Sequence, residues 1–236
     1  VAILAGGLGT RLGHETELKP KPMVTIGSQP ILWHIMKHYY QYQYKDFVIA
    51  LGYRGEIIKR WMTDYCPLNS DMTVRMATGD TEFHSVDTPD WIVDLIYTGE
   101  CSNTGGRLKR LKDWVGNGTF MMTYGDGISN VDLDKLLKFH KSHGKICTMS
   151  IVQPGSRFGV IELDTNNVVQ KFIEKPKEDG AWINGGFFIM KPEVFNYLHD
   201  GADEVMWERQ PLEDLAKDGE LVSYKHNGFW KCMDTL

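Results

Sequence analysis

Short apolar runs alternate with amphipathic stretches along this chain, a rhythm that predicts strands and helices in turn. Val1–Leu4 is a continuous apolar run cut off by glycines, which reads as a short buried strand. Gln29–Gln43 has helical spacing, with Ile31, Ile35, Met36 and Tyr39 on one side and Pro30 suited to a first turn. Phe47–Leu51 reads as a second buried strand and Gly55–Tyr65 as the helix after it. Strand and helix in that order imply a parallel sheet with helices on both faces. Asp71–Met76 and Trp91–Tyr97 read as further strands. Between them, Thr78–Asp90 is polar and holds Gly79 and Pro89, so a long loop is expected there.

The second half continues the pattern. Cys101–Arg110 reads as a loop entering a helix, with Gly105-Gly106 near its start and three cations after them. Thr119–Thr123 is an apolar strand ending at Tyr124-Gly125-Asp126-Gly127. Val131–His143 has Leu133, Leu136, Leu137 and His140 in helical register, closed by Gly144. His140, Lys141 and His143 in its last turn are expected to favour the helix dipole. Thr148–Val152, Gly159–Leu163 and Val168–Ile173 predict three short strands. Trp182–Met190 predicts another, interrupted at Asn184-Gly185-Gly186 by a bulge or a close ligand approach. Pro192–Leu198 and Glu208–Lys217 read as helices, and Leu221–Tyr224 as a strand. There is no internal repeat and no linker. The expected fold is α/β and Rossmann-like: one domain over 1–236, a mixed, mostly parallel sheet flanked by helices, and a small added β region.

Composition narrows the function. The chain has 236 residues and a formal net charge of −5, which argues against a general nucleic-acid surface. A phosphate ligand would therefore be met by local cations. Its 4 cysteines are scattered without a C-x-x-C pair, which fits reduced thiols in the cytosol. No apolar run approaches the ~20 residues that span a bilayer, so no membrane partner is expected. The start lacks Met and a basic n-region, and the end falls just past Asp234. Both termini are therefore read as trimmed, with the chain continuing after residue 236.

Candidate chemistry concentrates in Leu4-Ala5-Gly6-Gly7-Leu8-Gly9-Thr10-Arg11, with Pro20-Lys21-Pro22-Met23 after it. Glycines let the backbone turn tightly and offer bare N–H groups to an anion. Arg11 adds a guanidinium, and the prolines around Lys21 restrain the backbone that carries its ammonium. A Walker A loop would need Gly-Lys-Ser/Thr where Gly9-Thr10-Arg11 stands. A dinucleotide fingerprint would need glycine at Leu12, so a nicotinamide oxidoreductase is the weaker reading. His34 and His38 stand four apart, but no third metal ligand is near them in sequence, and ordinary histidines on a helix flank suffice. Asp126, at the end of a parallel strand, is a candidate carboxylate, as is Asp234.

These motifs resemble the signature of the sugar-1-phosphate nucleotidylyltransferases, and the likeness runs along essentially the whole chain. It is nearest the glucose-1-phosphate cytidylyltransferases, through Ile31-Leu32-Trp33-His34-Ile35-Met36, Thr104-Gly105-Gly106-Arg107-Leu108-Lys109-Arg110, Glu174-Lys175-Pro176-Lys177, Ile183-Asn184-Gly185-Gly186-Phe187-Phe188 and Met233-Asp234-Thr235. The resemblance implies a sheet of the nucleotide-diphospho-sugar transferase type. It implies CTP and glucose 1-phosphate as substrates, Mg²⁺ as cofactor, and a cytoplasmic homo-oligomer in which Thr78–Asp90 packs on a neighbouring subunit. Arg11, Lys21, Asp126, Lys175 and Asp234 would be catalytic, with Mg²⁺ between Asp126 and Asp234. Leu4 to Arg11, Lys21, Ser102, Arg107 and Gly125 would hold the nucleotide. Tyr124, Gly159, Glu174, Lys175, Asn184 and Gly185 would line the sugar-phosphate side. Thymidylyltransferases of this superfamily carry Gly-Leu-Ala-Gln where this chain has Thr104-Gly105-Gly106-Arg107, which favours cytidine over thymidine or uridine. A non-catalytic regulatory subunit of similar fold would tend to lose the cations or aspartates, and this chain keeps them.

Overall fold

A computed structural model describes residues 1–7, 18–86, 88–154, 160–163, 169–173, 181–199 and 202–233. In chain order its main elements are β1 (Ala2–Leu4), α1 (Ile31–Gln41), β2 (Asp46–Leu51), α2 (Gly55–Leu68), β3 (Ser70–Arg75), β4 (Asp80–Val86) and β5 (Ile92–Tyr97). Then follow α3 (Thr104–Arg110), β6 (Phe120–Tyr124), β7 (Gly127–Ser129), α4 (Leu133–His143), β8 (Cys147–Val152), β9 (Val160–Leu163) and β10 (Val169–Ile173). The last are β11 (Ile183–Met190), α5 (Gln210–Lys217), β12 (Leu221–His226) and β13 (Trp230–Cys232). Seven strands form one sheet in the order β12-β8-β11-β6-β1-β2-β5. Its pairs are parallel except the two made by β11, which runs antiparallel to β6 and β8. This is the mixed, mostly parallel sheet that the strand–helix rhythm implies.

Alternation along the central strands divides the core into two halves. Ile3, Phe47, Ile49, Leu51 and Met121 face α1, α2 and α4. Their neighbours Ala2, Leu4, Val48, Ala50, Phe120 and Met122 face α3 and α5, packing with Leu108, Trp207 and Leu215. Strands buried on both faces read as unbroken apolar runs, which is why they were legible.

The antiparallel strand carries the expected irregularity. Met149 pairs with Phe188 and Ile151 with Asn184, so two steps on β8 span four on β11. Gly186 at the bulge has φ +79°, and a Cβ there would stand 2.8 Å from Tyr124 Cδ2. Glycine is required at this position by backbone and neighbour alike.

Two expectations are corrected. Thr78–Asp90 is not one long loop: Asp80–Val86 forms β4, paired antiparallel with β3 in a hairpin that turns at Met76 to Gly79. Both faces of the hairpin are exposed at positions 71–84, so no core imposes the apolar alternation by which strands are recognised. His140 and His143 do not serve as cations at the end of α4. His140 is buried, and desolvation together with His143 and Lys191 pushes its pKa down to about 4. Burial lowers His143 as well, and both rings meet the Thr148 hydroxyl at 2.8 Å. They act as neutral hydrogen-bonding groups tying α4 to β8.

Candidate active site

Parallel strands β1 and β6 lie side by side, yet the chain leaves β1 toward β2 and β5 before returning to β6 on the other flank. A crevice opens at the carboxyl ends of strands where winding reverses in this way. Main-chain bonds hold its rim: Ala5 N donates to Ala50 O at 3.0 Å and Gly125 N to Leu4 O at 2.9 Å. A cleft of about 380 Å³ lies there, bordered by Gly6, Gly7, Lys21, Ser102, Arg107 and Glu208 among others. A second recess of about 300 Å³ is bordered by Asn184, Gly185, Trp230 and Cys232. Tyr124 and Asp126 belong to both walls.

Lys21 and Asp126 are joined across the cleft. Lys21 opens a single 3₁₀ turn, Lys21–Met23, behind the extended Pro20, and its side chain is only 11% exposed. Its Nζ donates to Asp126 Oδ2 at 2.7 Å. Asp126 is also anchored through its main chain, whose carbonyl accepts from Met233 N at 2.8 Å. That bond continues the ladder of β13 with β7, in which Cys232 pairs with Gly127. The C-terminal segment is thereby brought to the strand end that carries Asp126. The β7–β13 pair was not anticipated from sequence, since three-residue strands carry too few positions to show a period.

Arg107 sits elsewhere than its charge suggests. The residue is 3% exposed, and its guanidinium donates to five acceptors. Nη1 reaches Leu51 O at 3.2 Å, Thr98 Oγ1 at 2.9 Å and Gly99 O at 2.7 Å. Nη2 reaches Gly6 O at 2.7 Å and Glu100 O at 3.1 Å. Burial pulls its pKa below the usual arginine value. The group threads between two glycines, where a Cβ on Gly6 would meet Nη1 at 2.2 Å and one on Gly52 at 2.3 Å. One buried cation thus ties together the turns that follow β1, β2 and β5.

Ser102 is similarly engaged by protein. Its Oγ lies 2.6 Å from Thr98 O and 2.7 Å from Asp203 Oδ1, and accepts from Arg110 Nη1 at 2.9 Å. The chain at 203–208 is laced to the start of α3, with Asn103 N bonded to Asp203 O and Gly105 N to Val205 O. This lacing brings Glu208 to the cleft, where Thr104 Oγ1 donates to its Oε2 at 2.6 Å. On the opposite wall Asn184 Nδ2 donates to Tyr124 OH at 3.2 Å, and Trp230 Nε1 to Gly185 O at 2.7 Å. Sequence reasoning missed Thr104, Glu208 and Trp230. Glu208 opens a stretch read as a helix, and nothing in that reading shows that the fold sets its carboxylate beside Thr104 at the start of α3.

The structure therefore gathers Leu4, Ala5, Gly6, Gly7, Lys21, Ser102, Arg107, Tyr124, Gly125, Asp126, Asn184 and Gly185 around two adjoining pockets. Leu8, Gly9, Thr10, Arg11, Gly159, Glu174, Lys175 and Asp234 lie outside the described residues. On α1, His34 Nε2 is 3.0 Å from Ile26 O, and the His38 ring packs against Tyr42 and Phe187. Among the described residues no helix is long and apolar enough to cross a membrane.

A mostly parallel sheet whose switch point carries Gly6, Gly7 and a Lys21–Asp126 pair in one crevice is the arrangement in which open α/β folds bind ligands. The chain belongs to the nucleotidyl transferase family, whose model matches residues 1–231. It is 48% identical over 235 residues to a glucose-1-phosphate cytidylyltransferase of Salmonella typhi, spanning 99% of this chain and 90% of that one. It is 31% identical over 236 residues to a mannose-1-phosphate guanyltransferase of Saccharomyces cerevisiae, covering 97% of this chain and 59% of the yeast protein. The crystal structure of HddC from Yersinia pseudotuberculosis complexed with GMP-PN shares the fold at a TM-score of 0.69 and 23% identity, covering 99% of this chain and 92% of that one. The protein is an enzyme of nucleotidyl transfer, in a family that generally uses a divalent metal.

Proposed function

We propose that this enzyme transfers the cytidylyl group of CTP to α-D-glucose 1-phosphate, giving CDP-glucose and pyrophosphate. The observation that carries the reading is the meeting of two pockets at Tyr124 and Asp126, with Lys21 bonded to Asp126 at the junction. Two substrates seated one in each pocket would bring their phosphates to that point. The identity to the Salmonella typhi cytidylyltransferase over nearly the whole of both chains supports the choice of base and sugar.

The phosphate of a sugar 1-phosphate has its second pKa near 6, so the attacking oxygen is mostly ionised at pH 7 and needs no general base. Its in-line attack on the α-phosphorus expels pyrophosphate, and the protein's task is positioning and charge compensation. Gly6 and Gly7 offer main-chain groups to the triphosphate. Lys21 and Arg11 offset charge on the α-phosphate in flight and on the departing pyrophosphate. Lys175 holds the sugar phosphate, with Glu174, Asn184, Gly185 and Gly159 around the hexose. Asp126 is a hard oxygen donor on the shared wall, the ligand type that Mg²⁺ accepts beside phosphate oxygens. Asp126 and Asp234 would hold Mg²⁺, which supplies further charge compensation between the phosphates when bound. The bond from Met233 to the Asp126 carbonyl supports that pairing, because it ties the residue before Asp234 to this strand end.

Pyrophosphate release should be fastest with CTP and glucose 1-phosphate when CTP, dTTP, UTP and GTP are each incubated with a panel of sugar 1-phosphates. Preference for dTTP or UTP would overturn the assignment of the base. The enzyme is also proposed to work as a cytoplasmic homo-oligomer. Phe83, Val74 and Met76, exposed on the β3–β4 hairpin, support contact with a second subunit there. Sedimentation at micromolar concentration is expected to show an assembly, and a monomer would remove the proposal.

A further inference from the structure

The nucleotide-side cleft has little positive charge to spare. Among the described residues on its wall the cations are Lys21 and Arg107, and the anions are Asp126 and Glu208. Arg107 is committed to the scaffold, since its guanidinium donates to five protein acceptors and is wedged between Gly6 and Gly52. Lys21 is committed differently. Its Nζ donates to Asp126 Oδ2 at 2.7 Å, and the two side chains are 11% and 34% exposed. The backbone beneath it is fixed, with Met23 N bonded to Pro20 O at 2.8 Å and Val24 N to Lys21 O at 3.1 Å. Pro22 packs close to the end of β6, where a Cβ on Gly125 would stand 2.9 Å from Pro22 Cγ. A flexible alkyl stem joins that fixed backbone to the ammonium, so the charge can change partners through side-chain torsions alone.

We infer that Lys21 guards Asp126: its ammonium keeps a divalent cation off the carboxylate until a bound triphosphate draws the ammonium away. Nucleotide then enters before the metal or together with it. The inference rests on the proposed transfer, in which Asp126 takes the metal and Lys21 the phosphates. A carboxylate that faces an ammonium has its charge already matched. A divalent cation approaching either oxygen meets a second positive charge within roughly 5 Å. A triphosphate offers the ammonium several charged oxygens in place of one, so the exchange favours the nucleotide. Arg107 cannot take that part, because moving it would strip four main-chain carbonyls of a donor. By linkage, nucleotide and metal each raise the other's affinity, and the ammonium carries the part of that coupling that runs through Asp126.

Lys21→Met keeps an apolar stem of similar length and removes the charge. Mn²⁺, a hard cation that also accepts carboxylate oxygens, is titrated without substrates into each protein, and free ion is read by electron paramagnetic resonance. Lys21→Met should bind it about tenfold more tightly than wild type. The gain should vanish in Lys21→Met/Asp126→Asn, which assigns it to that carboxylate. Equal binding by wild type and Lys21→Met, or a gain that survives in the double variant, would overturn the inference. If Lys21→Met does not fold, wild type decides alone. Crystals grown with Mn²⁺ and CTP should then show the ammonium on a phosphate oxygen and the metal on Asp126. A Lys21–Asp126 bond that persists with nucleotide and metal bound would overturn the inference as surely. The titration involves neither CTP nor glucose 1-phosphate, so a pyrophosphate panel that fails tells against the proposed transfer and leaves this result standing.

Discussion

Asp126→Asn is expected to lower kcat by on the order of 10²–10³-fold while leaving KM for either substrate little changed. The reasoning is electrostatic. Asparagine keeps an oxygen that can accept from Lys21, so the 2.7 Å contact and the 3₁₀ turn behind it survive. The main-chain bond from Met233 to residue 126 does not involve the side chain. What disappears is one full negative charge on the wall common to both pockets, the group proposed to take the metal. Binding in each pocket depends on other residues, so the loss should fall on the step in which the phosphates approach one another. Steady-state kinetics with both substrates varied would check this. A variant within about twofold of wild-type kcat would remove Asp126 from the reaction.

Arg107→Ala should produce the largest loss of stability among substitutions in the cleft. Four main-chain carbonyls and the Thr98 hydroxyl lose a donor at once, in a site where the arginine is 3% exposed. Leu51 O keeps its bonds from Thr98 and Gly6 O the one from Tyr53 N, and Gly99 and Glu100 are partly exposed, so the lost bonds together with the cavity should cost about 3–5 kcal/mol rather than the sum of five unpaired acceptors. For a chain of this size that lowers the melting temperature by on the order of 10 °C. Lysine should recover only part of the loss, because a point ammonium cannot span acceptors placed for a planar fork. Nucleotide affinity should fall with stability, since Gly6, one of the five partners, opens the turn that faces the phosphates. A differential scanning measurement in which Arg107→Ala melts with the wild type would contradict this scaffolding role.

Arg107 marks the boundary of what the chain discloses by itself. Its motif pointed to the cleft, and the cleft is where it borders. Nothing in Thr104-Gly105-Gly106-Arg107 shows that the guanidinium turns away from solvent into three strand ends, because four of its five acceptors are main-chain carbonyls, which carry no sequence signal, and the fifth is the Thr98 hydroxyl. The central strands were readable for the opposite reason. Val48 and Ile49 face different halves of one core, so burial on both faces left an unbroken apolar run in the sequence. Asp71–Met76 was read as a strand and is β3, but its partner β4 was missed, because no core constrains that strand's side chains and its polar residues at exposed positions leave no period. His140 was misread because helical spacing shows which face a side chain takes but not whether it carries charge once buried. Glu208 was invisible for a third reason, as its place in the cleft depends on a packing contact between α3 and the chain at 203–208.

The most direct test is a crystal of the enzyme grown with CTP and magnesium. The triphosphate should lie against the turn at Gly6 and Gly7, within hydrogen-bonding reach of the ammonium at position 21, with its α-phosphorus turned toward the recess beside Asn184. A nucleotide seated elsewhere, for instance in the aromatic hollow between Trp61 and Trp91, would show that the charges at the tip of the first strand serve some other purpose.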